Sequence, residues 1–138
     1  MSDRTDLAGV LTGLRSATVE VVLPPGPVRL PAATVGEIEA AVVAALDNVA
    51  KHAGQGARAW VLLDTDDDGL EIVIRDNGTG IASNRLVEAA DEGRLGASSS
   101  IRGRMLDLGG EAEWRSPAGR GTTVTLTLPS ERMAGSAP

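Results

Sequence analysis

The sequence predicts a two-layer α/β sandwich, an α+β arrangement in which helices cover one face of a mixed, mostly antiparallel sheet. Three observations predict it. Several short β-branched segments alternate apolar with polar residues, as half-buried strands do. Two longer stretches carry helical periodicity, and the order reads strand, helix, paired strands, Gly-rich loop, helix, paired strands. Finally, 138 residues with 42% hydrophobic and 23% charged side chains suit one globular domain with its own core.

Each element has its own signal. Residues 5–15 place Leu7, Val10, Leu11 and Leu14 at helical spacing, a short amphipathic segment that reads as the stub of a longer helix. TVEVVL at 18–23 reads as a strand stopped by Pro24, Pro25, Gly26 and Pro27. Over 31–53 the apolar positions Val35, Ile38, Val42, Ala45, Leu46, Val49 and Ala53 follow one helix face, with Thr34 and Glu37 spaced as a capping box and Gly54 as the stop. Residues 57–63 and 70–75 read as strands joined by a hairpin turn at Asp66-Asp67-Asp68-Gly69. Residues 77–97 are Gly-rich and polar, a length and composition expected of a mobile lid. Ser98, Ser99 and Ser100 would open a second helix carrying Ile101, Met105, Leu106 and Leu108 and stopping at Gly109-Gly110. Residues 111–115 and 122–128 read as the last pair of strands, Pro129 ends the second, and 130–138 reads as a disordered tail.

Composition excludes several classes of function. The chain has no cysteine, so disulfides, thiolate metal sites and thiol nucleophiles are absent, in keeping with a cytoplasmic location. A single histidine argues against the usual zinc sites. Net charge of −6 speaks against clamping nucleic acid, and with Trp60 and Trp114 as the only aromatics a base-stacking platform is lacking. No apolar run approaches a membrane-spanning length, so no direct membrane contact is expected.

Four motifs carry candidate chemistry. Asp64-x-Asp66-x-Asp68-Gly69 begins like a calcium loop, but its twelfth position is Arg75 where a bidentate Glu is needed, and the flanks are strands; it reads as a hairpin turn. Asp76-Asn77-Gly78-Thr79-Gly80 follows directly on a strand. Its glycines would let a backbone approach a ligand closely and its carboxylate would accept from an exocyclic amine, although a tight turn has the same composition. On the long helix Ala44, Asn48 and His52 are spaced four apart beside Asp47 and Lys51, either a solvated stripe or a stripe whose amide oxygen binds Mg²⁺. Gly93 to Ser100 leads into a helix N-terminus, where free N–H groups favour phosphate, and Arg102 and Arg104 would add positive charge.

Taken together, NVAKHA (48–53), DNGTG (76–80), the Gly/Ser loop (93–100), LGG (108–110) and SPAGRGTTVTLTLP (116–129) resemble the ATP-binding catalytic domain of sensor histidine kinases. The form of the asparagine helix and of the closing strand is most similar to the nitrate-sensor and thermosensor branch, within the superfamily of gyrase, Hsp90, histidine kinases and MutL. The resemblance implies a Bergerat-type ATP-binding fold over residues 17–129, preceded by a linker or the end of a dimerisation helix over 1–16. It implies that Asn48 holds the Mg²⁺ bridging the ATP phosphates and that Lys51 or His52 reaches those phosphates. Asp76 would accept the adenine amino group, with Gly78, Gly80 and Ile81 lining the purine and Thr122 supporting the contact. Residues 82–97 would be the lid, with Gly96, Ser98, Ser99 and Ser100 facing the phosphates.

Two departures stand out. The superfamily carries an acidic residue four positions before the asparagine, and this chain has Ala44 there. An alanine cannot act as general base, which weakens ATP hydrolysis more than transfer to a histidine. The second helix reads IRGR, with Gly103 at an otherwise acidic position. The resemblance further implies partners: a dimerisation and phosphoacceptor domain, absent from this chain, and a response regulator, with the parent protein membrane-associated and this piece a monomer. The alternatives are a serine kinase of the anti-sigma-factor type and a degenerate nucleotide-binding module without chemistry.

Overall fold

The fold is known from a computed structural model that describes residues 4–52, 57–77, 95–115 and 121–133. The elements in chain order are β1 (Arg4–Asp6), α1 (Leu7–Thr12), β2 (Val19–Val22), β3 (Arg29–Pro31), α2 (Ala32–His52), β4 (Ala59–Asp66), β5 (Gly69–Asp76), α3 (Leu95–Asp107), β6 (Glu111–Arg115), β7 (Thr123–Pro129) and α4 (Ser130–Met133). Five strands form one sheet in the order β2-β4-β5-β7-β6. Only β2 and β4 are parallel, because α2 lies between them in the chain and returns it to the end of the sheet where β2 began. All the other pairs in this sheet are antiparallel, so the predicted two-layer, mostly antiparallel architecture is the observed one.

Alternation along the strands decides which face is covered. Val61 and Leu63 of β4, Leu70, Ile72 and Ile74 of β5, and Val124, Leu126 and Leu128 of β7 are all buried. They meet Val35, Ile38, Ala41, Val42 and Ala45 of α2 and Ile101 and Met105 of α3 in one core. Residues of opposite parity are half-buried or exposed, with Glu20, Val22, Leu62, Asp64 and Glu71 among the exposed ones. There Trp60 Nε1 donates to Glu20 Oε2 at 2.8 Å, tying β4 to the edge strand β2.

The segment before residue 17 shares the same core through Leu7 and Leu11. One carboxylate organises it. Asp6 Oδ1 accepts from the amide of Ala8 at 3.0 Å, capping α1, and from the amide of Val28 at 2.9 Å. β1 pairs with β3 in a separate two-stranded ribbon that the sequence pattern did not reveal, both strands being only three residues long.

Three sequence expectations are corrected. α2 begins at Ala32, before Thr34, so the capping box does not form, and Glu37 bonds Arg104 across the helix pair instead. α3 begins at Leu95, so Gly96 and the three serines lie within the helix rather than ahead of it, and residues 95–97 are not part of a loop. Ser130–Met133 form a short helix where a tail was expected, and the Ser130 amide donates to Asp68 O at 2.9 Å. The end of α3 is as expected: Gly109, at φ +86°, follows the last turn, and the amides of Gly109 and Gly110 donate to Leu106 O at 2.9 Å and Met105 O at 2.7 Å. Among the described residues no helix is long and apolar enough to cross a membrane.

Ile72 is fully buried at the centre of the sheet, so Ile72→Ala should lower stability by about 2–5 kcal/mol in urea denaturation, while Leu106→Ala should change it by less than about 0.5 kcal/mol. A Cβ added at Gly103 meets nothing within 4 Å, so Gly103→Ala should raise stability by about 0.5–1 kcal/mol through helix propensity.

Candidate functional site

Asp76 ends β5 and is 3% exposed, and among the described residues it is the only buried side chain that is polar or charged. A buried carboxylate is costly unless hydrogen bonds hold it. Here Asp76 Oδ1 accepts from the Thr122 amide at 3.3 Å, and the Asp76 amide donates to Thr122 O at 3.0 Å. Thus Asp76 and Thr122, 46 residues apart, stand together as the sequence reading placed them.

Gly121 lets the chain make this approach. Its φ is +81°, and a Cβ there would collide with Asp76 O and lie 3.0 Å from Asp76 Oδ1. The Gly121 backbone therefore packs directly against Asp76, an approach that only a residue without a side chain allows. Asn77 closes the other side: its Oδ1 accepts from the Arg58 amide at 2.6 Å and its amide donates to Arg58 O at 3.1 Å. The sequence reading missed this role; an Asn directly after a strand is the only local signal, and Arg58 lies too far along the chain for a pattern to join them.

α2 carries the candidate phosphate and metal positions. Asn48, Lys51 and His52 fall on its last two turns, while their side chains lie outside the described residues. Ala44 is half-buried against the core, whereas Asp47 is exposed. Gly78, Gly80 and Ile81, with the lid residues 82–94, lie outside the described residues. Gly96, Ser98, Ser99 and Ser100 are placed on the first turns of α3, with side chains likewise outside the description.

The two arginines expected to lend charge to phosphate are engaged elsewhere. Arg104 Nη1 donates to Glu37 Oε1 of α2 at 2.7 Å, and the Arg102 guanidinium lies 5.1 Å from the ring centroid of Trp114 on β6. Both contacts fasten α3 to its neighbours. Among the described residues no group of three His, Cys, Asp or Glu side chains is placed to hold a metal by itself. A single hard amide oxygen, as Asn48 would supply, fits Mg²⁺ shared with phosphate oxygens better than an all-protein cage.

A cleft of about 420 Å³ lies at the Gly69 end of β5, opposite to Asp76, lined by Asp64, Asp66, Asp68, Glu71 and Glu111 among others. Its acidic walls would repel phosphates, so it does not compete as a nucleotide site. Asp66 within it is a turn residue: its Oδ1 accepts from the amides of Asp68 at 2.8 Å and Gly69 at 3.1 Å, confirming a hairpin in place of a calcium loop.

Among solved structures the fold is similar to the histidine kinase domain of the blue-light activated histidine kinase of Erythrobacter litoralis EL346, with TM-score 0.75 and 21% identity over 96% of this chain and 71% of that one. It is similar also to the ATP binding domain of PrrB from Mycobacterium tuberculosis, with TM-score 0.62 and 24% identity over 92% and 96% of the two chains. The mycobacterial sensor histidine kinase MprB gives TM-score 0.60 and 26% identity over 94% and 97%. No curated protein sequence matches significantly. The family described as "Histidine kinase-, DNA gyrase B-, and HSP90-like ATPase" matches residues 35–132, from the start of α2 through β7 and including Asp76, Gly121 and Thr122. The chain belongs to the histidine kinase-, DNA gyrase B- and HSP90-like ATPase family, and its fold is that of the ATP-binding domains of histidine kinases.

Proposed function

We propose that this chain is the ATP-binding catalytic domain of a two-component sensor histidine kinase, of the nitrate-sensor and thermosensor branch. The observation that carries the reading is the buried Asp76 carboxylate, held by the Thr122 amide against the close-packed Gly121 backbone and lying within the family match. A carboxylate so placed accepts from the exocyclic amino group of adenine. Its burial makes that hydrogen bond stronger than the same bond in water.

Asn48 would hold Mg²⁺, which when bound neutralises phosphate charge, and Lys51 or His52 would reach the phosphates from the next turn. Gly96, Ser98, Ser99 and Ser100 would face the phosphates from α3, whose N-terminal amides favour negative charge. The protein's part in the chemistry is mainly positioning: the adenine end is fixed at the sheet, so the γ-phosphoryl group projects toward an acceptor. The acceptor is a histidine on a dimerisation domain outside this chain, and a response regulator's aspartate receives the group afterwards. Residues 17–129 form the nucleotide-binding unit on this reading. Ala44 supports transfer over hydrolysis, since no carboxylate stands at that place on α2 to activate water.

Titration calorimetry with ATP tests the reading. Asp76→Asn replaces one acceptor oxygen with a donor and should weaken ATP binding by about tenfold or more, while a melting curve shows the domain still folded. Asn48→Ala should remove the dependence of ATP affinity on Mg²⁺ and leave the Mg²⁺-free affinity near that of wild type. Wild type should release phosphate slowly and Ala44→Glu faster; brisk hydrolysis by wild type would contradict the argument from Ala44. Wild-type protein that does not bind ATP, with or without Mg²⁺, would move the chain to the reading of a module without chemistry.

A further inference from the structure

We infer that Glu37 and Arg104 are positioning residues that set the place of α3 against α2, and through it the affinity for the phosphate end of the nucleotide. The inference rests on the ATP-binding reading and adds to it a pair that joins the two helices carrying the proposed phosphate-end residues. Arg104 Nη1 lies 2.7 Å from Glu37 Oε1, joining helices 67 residues apart in the chain. From this contact α2 runs on about three turns to Asn48, and α3 began about two and a half turns earlier at Leu95. A shift at the pair therefore moves the phosphate-facing end of one helix relative to the metal-binding end of the other.

Apolar packing alone leaves that placement weakly specified. In the part of α3 whose side chains are described, only Ile101 and Met105 are buried, and a methionine adapts to several packings. Hydrophobic contact is also non-directional. The helix itself is poor by composition, with Gly96, Gly103 and three serines in LGASSSIRGRMLD. Two directed contacts supply what packing lacks, Arg102 on Trp114 toward β6 and Arg104 on Glu37 toward α2. Of these only the ion pair reaches α2. Its side chains are 39% and 45% exposed, so removing it should cost the whole fold little while leaving α3 free to shift or turn. The adenine end should stay fixed, because Asp76 ends β5, Thr122 directly precedes β7, and the bond between them involves no residue of α3.

The test compares ATP with adenosine, titrated by ligand-observed NMR against the whole chain as wild type, Glu37→Gln, Arg104→Met and the charge-exchanged double variant Glu37→Arg/Arg104→Glu. Each single variant should weaken ATP about three- to fivefold, leave adenosine affinity unchanged and melt within a few degrees of wild type. The exchanged pair should recover most of the ATP affinity. Equal losses for ATP and adenosine would mean a general structural role and overturn the inference, as would unchanged ATP affinity in both single variants. A wild type that binds adenosine but gains nothing from the phosphates would overturn it also, and a wild type that binds neither would show instead that the underlying nucleotide reading is wrong, and the pair's role would fall with it.

Discussion

Antiparallel pairing of β5 with β7 sets Ile72 opposite Leu126 and Ile74 opposite Val124, and the rest of the structure is arranged around that register. Both strands bury one face only, so a slip of one residue would turn the whole apolar set outward. The same register brings the end of β5 beside the start of β7. Asp76 then meets Thr122 through two hydrogen bonds, and the site follows from the packing of the core rather than from any local motif. Gly121 is the concession the backbone makes at this junction, where an added Cβ would collide with the backbone carbonyl of Asp76.

Helices α2 and α3 are held to the sheet by different means. α2 places Val35, Ile38, Ala41, Val42 and Ala45 in the core, enough apolar surface to make it part of the scaffold. Among the described residues α3 contributes Ile101 and Met105 to the core, and Arg102 and Arg104 add directed contacts with Trp114 and Glu37. Ala44 packs against the core, while Asp47 is exposed to solvent.

Much of this was legible in the sequence because it is local. The strands announced themselves by alternation, α2 by its apolar face, the β4–β5 turn by Asp66 to Gly69, and the end of α3 by its paired glycines. Asp76 and Thr122 were legible as candidate site residues only through the order and spacing of several motifs, since Asp-x-Gly-x-Gly alone is also a common turn. The short ribbon of β1 and β3 left no such mark: three residues hold too little periodicity, and its stability comes from Asp6 accepting the amide of Val28, a partner 22 residues away.

By itself, then, the sequence determined the identity and order of the main elements, the one-sided burial of the sheet and the family to which the chain belongs, because each depends on composition and spacing along the chain. Tertiary structure alone decided where the charged side chains went. Thr34 and Glu37 had the spacing of a cap, yet α2 starts ahead of them and Glu37 bonds Arg104; Arg102 and Arg104 had the place of phosphate ligands, yet they tether α3. A long charged side chain on a helix surface takes whichever partner the neighbouring element presents, and which element that is becomes defined only when the two layers pack.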